Sequence, residues 1–421
     1  MGRASEDGLL YGTLASIKGI AKKELERRHR IEKRRALFLS LLVVLAFFRW
    51  IPGGSALDPT TGIRGYLELG LLVLATVIAL TWWGRRVFKA LISGWWLMLP
   101  SFWAMLSALW SFMPLLTLAK ASELFLLNLL ALLVGRSGLS LGDWLDVMRK
   151  VLLVILVLGL GLNVLYYGTP FYFGPPYGDN FALDTFRPRL TLAADHPLVV
   201  GHMFALLLLA SAYRLTYLPG ILGTAVGIGG LLATQARAST VISLVAVMWV
   251  WFVFLGRRYN WLGFIMQLIL LTLSLVSLPW LVRVGLEMAS TYAPDLDTLN
   301  SRIPLWIATV EVLFSSPQML LLGTGLEATR FVTFDLAPWN PGQTHNGYLE
   351  ILASLGLIGL VFYLPVFAFL FGRLFNPYAG GFALYILGLA FFNPVFNPGF
   401  LWFVILVIAL LAKGEGNSAH P

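Results

Sequence analysis

The stretch TLAKASELFLLNLLALLVGRSGLSLGDWLDVMRKVLLVILVLGLGLNVLYYG (117–168) decides the fold. It holds two continuous apolar runs, 117–135 and 151–168, each close to the length that crosses a bilayer as a helix. The short connection between them carries Arg136, Arg149 and Lys150. Membrane helices joined by a basic loop place that loop on the cytoplasmic side. An outer-membrane barrel would show short alternating strands instead, whereas these runs are Leu-rich and unbroken.

Outward from this pair the pattern repeats. Apolar runs fall at about 36–52, 66–84, 91–112, 117–135, 151–168, 197–213, 219–235, 239–256, 262–281, 350–372, 378–393 and 399–412. Basic residues follow every second run: Arg85, Arg86 and Lys89, then Arg136, Arg149 and Lys150, then Arg214, Arg257 with Arg258, Arg373 and Lys413. With ten more in the first 35 residues, 21 of the 30 Lys and Arg lie on one side. The expected architecture is an all-α polytopic membrane protein of about 12 transmembrane helices with both termini cytoplasmic. A basic amphipathic segment over 1–35, with Leu9, Leu10, Leu14, Ile17 and Ile20 near helical spacing, is expected to lie on the inner membrane surface. A single transmembrane domain follows over 36–413, then a cytoplasmic tail over 414–421. Long outer segments run at about 169–196 and 282–349, and IPLWIATVEVLF (303–314) is expected to lie against the membrane.

Composition excludes other classes. With 58% hydrophobic and 12% charged residues and a mean hydropathy of +0.80, the chain is far from the soluble norm of about 25% charged. The net charge of +9 is concentrated at the N-terminus, which points to anionic lipid rather than nucleic acid. Absence of cysteine removes disulfides and thiolate metal sites. No P-loop or HExxH pattern is present, and the Asp295/Asp297 pair reads as a solvated loop, so neither metal nor cofactor is expected.

The chemistry lies in the outer cations. Arg187, Arg189, Arg237, Arg283, Arg302, Arg330 and His345 fall on the side that the positive-inside trend should deplete. A guanidinium fork matches phosphate oxygens, so an anion on that side would explain them. In FRPRLTLAADHPLVVGH the proline between Arg187 and Arg189 favours an extended backbone, which puts both side chains on one face. Arg237 lies in ATQARAST at an outer junction. His345 opens the tenth run, where a neutral imidazole can take a proton from a hydroxyl. His196 at the sixth run reads as a supporting residue. Internal repeats are not evident, and charge within the runs is sparse beyond Arg49, Glu68 and Lys120. Both points favour an outer-face enzyme over a carrier or flippase for an anionic glycolipid, which remains the alternative of a different class.

Three features resemble the bacterial O-antigen ligase and O-antigen polymerase superfamily. ALWSFMPLLTLAKASELFLL (108–127) is similar to its Trp-Ser turn followed by a basic residue. RLTLAADHPLVVGHMFALLLL with TQARASTVISLV is similar to its central arginine-bearing regions. His345-Asn346, nine residues, Gly356, two residues and Gly359 are similar to the ligase signature. Leu360 and Val361 stand where the ligase pattern carries threonines, which leaves ligase and polymerase both open. The resemblance runs over about 90–410. It implies a GT-C-like glycosyltransferase of the inner membrane with a periplasmic active site. The donor would be an undecaprenyl-diphosphate-linked glycan and the acceptor lipid A-core, or a second lipid-linked glycan for a polymerase. By the same resemblance Arg187, Arg189, Arg237 and Arg302 bind the donor diphosphate and His345 is the base. Asn346, Glu350 and His196 are supporting or acceptor-side candidates, and no metal is implied.

Overall fold

The computed structural model describes residues 3–48, 63–174, 189–192, 197–213, 217–258, 265, 302–333, 343–376 and 378–415. The described residues are mostly helical. In order come α1 (Arg3–Phe47), α2 (Ile63–Gly94), α3 (Leu99–Leu106), α4 (Pro114–Gly135), α5 (Leu141–Tyr167), α6 (Pro197–Ala212), α7 (Leu218–Thr234) and α8 (Arg237–Arg258). Then follow α9 (Arg302–Phe314), α10 (Pro317–Leu322), α11 (Arg330–Thr333), α12 (Gly347–Phe371), α13 (Gly380–Leu389) and α14 (Phe400–Glu415). Two short antiparallel strands, β1 (Tyr172–Gly174) and β2 (Arg189–Thr191), lie between α5 and α6. Among the described residues, five helical segments are long and apolar enough to cross a membrane: Gly65–Leu97, Pro114–Gly135, Leu141–Tyr167, Arg237–Phe254 and Gly347–Phe371. Shorter apolar helices lie at the expected runs 91–112, 197–213, 219–235, 378–393 and 399–412, the described part of 36–52 is the end of α1, and all of 262–281 but residue 265 falls outside the described residues.

Helix ends follow local chemistry. Pro114 opens α4, where its missing N–H costs nothing. Ser140 caps α5 by accepting from the Asp143 N–H at 3.1 Å, and Gly168 ends it in the left-handed region at φ 72°. Two helices run further than the apolar pattern indicates. α1 is one rod, so the basic segment and the first apolar run are continuous. Its middle packs on protein: Lys33 Nζ lies 2.9 Å from Asp143 and 3.4 Å from Asp146, and the Trp83 indole donates to Glu32 at 2.7 Å. α2 likewise continues through Arg85, Arg86 and Lys89 to Gly94. Charged side chains are good helix formers, so a basic loop in an apolar pattern need not be a break.

The interior depends on small residues and paired polar groups. On α7, Gly220, Gly223, Gly227 and Gly230 form a buried stripe against α6. A Cβ at Gly227 would lie 2.8 Å from Leu208, and one at Gly230 would collide with the Phe204 ring. Small-residue stripes give membrane helices the close approach that replaces a hydrophobic drive between them. Buried Asn128 is fully used: it donates to Leu97 O and Ser101 Oγ and accepts from the Trp402 indole, each at 2.8 Å.

α12 is broken in the middle. Gly356 has φ 69°, so the helix carbonyls before it lose their usual partners. The segment after α10 and Trp103 of α3 supply replacements. Thr324 N–H donates to Ala353 O at 3.0 Å, Gly325 N–H to Ser354 O at 2.8 Å, and the Trp103 indole to Leu355 O at 2.9 Å. Gly323 (φ 73°) and Gly325 (φ 101°) give this segment its turns. A Cβ at Gly356 would collide with Leu321 O, so the break and the docked segment require each other.

Candidate functional site

The segment docked on the broken helix carries charge. Glu327 sits in the left-handed region (φ 62°), where its carboxylate pairs with Arg330 and accepts from Asn397 Nδ2 at 2.7 Å. Thr117 of α4 holds the same segment by donating to Leu326 O at 3.0 Å. One turn further along α4, Lys120 lies 2.8 Å from Glu123 and 3.4 Å from Glu68 of α2, all three nearly buried. Charges this deep in an apolar bundle are costly and mark function or a structural pairing.

His345 stands immediately before α12. It is half-buried and held at φ 54°, a conformation that costs energy and is common at functional sites. Its neighbours fix it. Thr344 donates from N–H and Oγ1 to Glu350 Oε2, at 2.9 and 2.8 Å, and its carbonyl accepts from the Trp306 indole of α9 at 2.8 Å. Asn346 caps α12, its Oδ1 accepting from Tyr348 and Leu349 N–H at 3.0 Å. Asn346 and buried Glu350 therefore act on His345 through the backbone.

The turn between α13 and α14 gathers the other elements. Gly347 N–H donates to Ala390 O at 2.6 Å, which ties the His345 loop to it. Arg302, first residue of α9, donates to Phe392 O at 3.1 Å. Burial lowers the Arg302 pKa below the ordinary guanidinium value, yet a guanidinium keeps its charge. Asn397, at the far end of the turn, reaches Glu327.

Arg237 reaches the same end by another route. α8 lies against α13, with Gly381 facing Val250 and Gly388 facing Ile242. From Ile242 back to Arg237 is five residues, or about 7.5 Å of helix rise, which brings Arg237 to the level of the turn. Behind it, buried His202 Nδ1 lies 2.9 Å from Ser239 Oγ and 3.1 Å from the Tyr385 hydroxyl, joining α6, α8 and α13. Arg237 itself is exposed, and among the described residues no carboxylate pairs with it.

Arg302 and the His345 loop are thus bonded to one turn, and Arg237 lies at the same level of the bundle. The backbone of Arg189 lies in β2, which packs on α6 and α7 at that end. Arg187 and His196 lie outside the described residues, as do Asp295 and Asp297. Among the described residues no three His, Asp or Glu are grouped as metal ligands. Sequence reasoning counted Arg330 among the outer cations without its partner Glu327, and assigned no role to the pairing of Lys120 with Glu123 or of His202 with Ser239. The three-residue spacing of Lys120 and Glu123 was a readable signal. Nothing in the sequence marks Glu327.

The family model described as O-antigen ligase matches residues 222–364, which is 143 of the 421 residues. This match supports the O-antigen ligase superfamily for the chain. Arg237, Arg302, His345, Asn346, Glu350 and the Gly356 break all lie within it, while Arg187, Arg189 and His196 precede it. No curated protein matches the chain.

Proposed function

We propose, taking the O-antigen ligase match as premise, that this chain is a periplasm-facing membrane glycosyltransferase. It transfers a glycan from undecaprenyl diphosphate to a sugar hydroxyl of lipid A-core. The observation that carries this reading is that Arg302 and the His345 loop are bonded to one turn, at whose level helix rise also puts Arg237, all within the matched residues. The acceptor hydroxyl attacks the anomeric carbon while His345 takes its proton. The bond from that carbon to the diphosphate oxygen breaks, and undecaprenyl diphosphate leaves with the electron pair. Arg237 and Arg302, with Arg187 and Arg189 from the outer segment, stabilise the charge that develops on the leaving group. Direct displacement inverts the anomeric centre. Both termini are cytoplasmic in this reading, and the polyprenyl tail stays in lipid while the diphosphate sits at the outer interface.

Leu360 and Val361, where a ligase carries threonines, favour a second reading as a polymerase that joins two lipid-linked glycans. Purified protein reconstituted with a defined lipid-diphosphate-linked glycan separates the two. Transfer to lipid A-core supports the ligase, whereas lengthening of the lipid-linked glycan in its place supports the polymerase. Failure with both acceptors would overturn the glycosyltransferase reading.

A further inference from the structure

At the end of the bundle that bears the basic connections, α1, with α2 and the link between α4 and α5, lines an open cleft of about 810 Å³. That volume is in the range of sites for small ligands. Arg28, Arg30 and Arg35 line it from α1, and Arg86 from α2. Glu26 and Glu32 at its walls, with Glu24 just outside bonded to Arg28 at 3.1 Å, still leave the four guanidiniums in excess. Glu32 is also engaged, accepting from Trp83 at 2.7 Å and from Arg35 at 3.3 Å. Arg86 is held on the opposite wall by Ser137 O at 3.0 Å and Arg136 O at 3.4 Å. Arg35 lies over the Trp82 ring, 5.4 Å from its centroid. Tryptophans at this level mark the membrane–water interface. Leu25 and Ile31 add aliphatic surface to the same cleft.

We propose that this cleft binds the phosphodiester headgroup of an anionic phospholipid in the inner leaflet. Guanidinium groups on two facing walls match phosphate oxygens. Trp82, under Arg35, sets the cleft at headgroup depth, and the anionic leaflet supplies such phosphates at high local concentration. Leu25 and Ile31 then meet the glycerol and the first acyl carbons, which a soluble phosphate lacks. Only the choice of leaflet rests on the orientation proposed above. Nanodiscs, with both leaflets alike, test the site without it.

Full-length protein purified from nanodiscs of equal phosphatidylglycerol and phosphatidylcholine is analysed for retained lipid by native mass spectrometry. Wild type retains phosphatidylglycerol in excess. Arg28→Gln with Arg30→Gln, exposed positions on one wall, loses most of that excess, and Arg86→Gln on the other wall does the same. The charge-matched control, Lys22→Gln with Lys23→Gln, lies outside the cleft and retains it. Equal loss in the control would reduce the effect to a diffuse basic tail and overturn the site. Retention in both cleft variants, with unchanged thermal stability, would overturn it as well. Displacement of the lipid by millimolar inorganic phosphate would reassign the cleft to a soluble anion and overturn the lipid assignment.

Discussion

Arg302 is aimed by its bond to Phe392 O, so its remaining N–H groups are presented from a fixed base. Under the proposed reaction, Arg302→Ala should lose about 2–4 kcal/mol of transition-state stabilisation, read as a fall in kcat/KM on a lipid-linked donor. Arg302→Lys should recover little, because an ammonium is a point charge without the fork. His345 requires a variant chosen for its backbone. Asn tolerates the left-handed conformation better than most residues, so His345→Asn removes the imidazole with little added strain. It should lose about 10²–10⁴ in rate with unchanged thermal stability. A fully active His345→Asn enzyme would remove the base assignment. At this scale the residue types were legible and their local duties were not. The resemblance gave Asn346 and Glu350 as supporting or acceptor-side candidates, and only the structure shows that one caps a helix and the other anchors Thr344.

The break in α12 is where the pattern of elements was least legible. Its apolar run is continuous, so hydropathy shows one span, and only the paired glycines hint at more. A substitution there tests the docking directly. Gly356→Ala should destabilise the protein, because its φ 69°, ψ −174° lies in a region essentially reserved for Gly, at a cost of about 1–3 kcal/mol, and the methyl also strikes Leu321 O. Thermal unfolding in detergent should show a lowered midpoint, with lost transfer activity. Gly161→Ala in α5, where nothing lies within 4 Å of the added methyl, should leave both unchanged. Equal behaviour of the two variants would mean that the docked segment contributes nothing to stability.

For the whole molecule, the all-α membrane character was legible because Leu-rich runs of bilayer length have few other uses in a protein, and five of the described helices have the length and composition to cross a bilayer. The length of α1 was not, since its basic residues form helix as readily as its apolar ones. Nor was the convergence of residues 302, 345 and 392, because contacts between distant segments leave no local trace. The proposed orientation is checked by reporter fusions: sites at 180 and 320 should read periplasmic and one at 257 cytoplasmic. A cytoplasmic reading at 320 would move the arginine set to the wrong side of the membrane. The α13–α14 turn has a last consequence, for kinetics. Its sequence, FFNPVFNPGF (391–400), carries two prolines that stiffen the backbone to which both the Arg302 helix and the His345 loop are tied. Leaving-group stabilisation and proton removal then share one mechanical mount. Loosening it, for instance by Pro394→Gly, shifts donor affinity and turnover together, whereas changes in either arm alone move them separately.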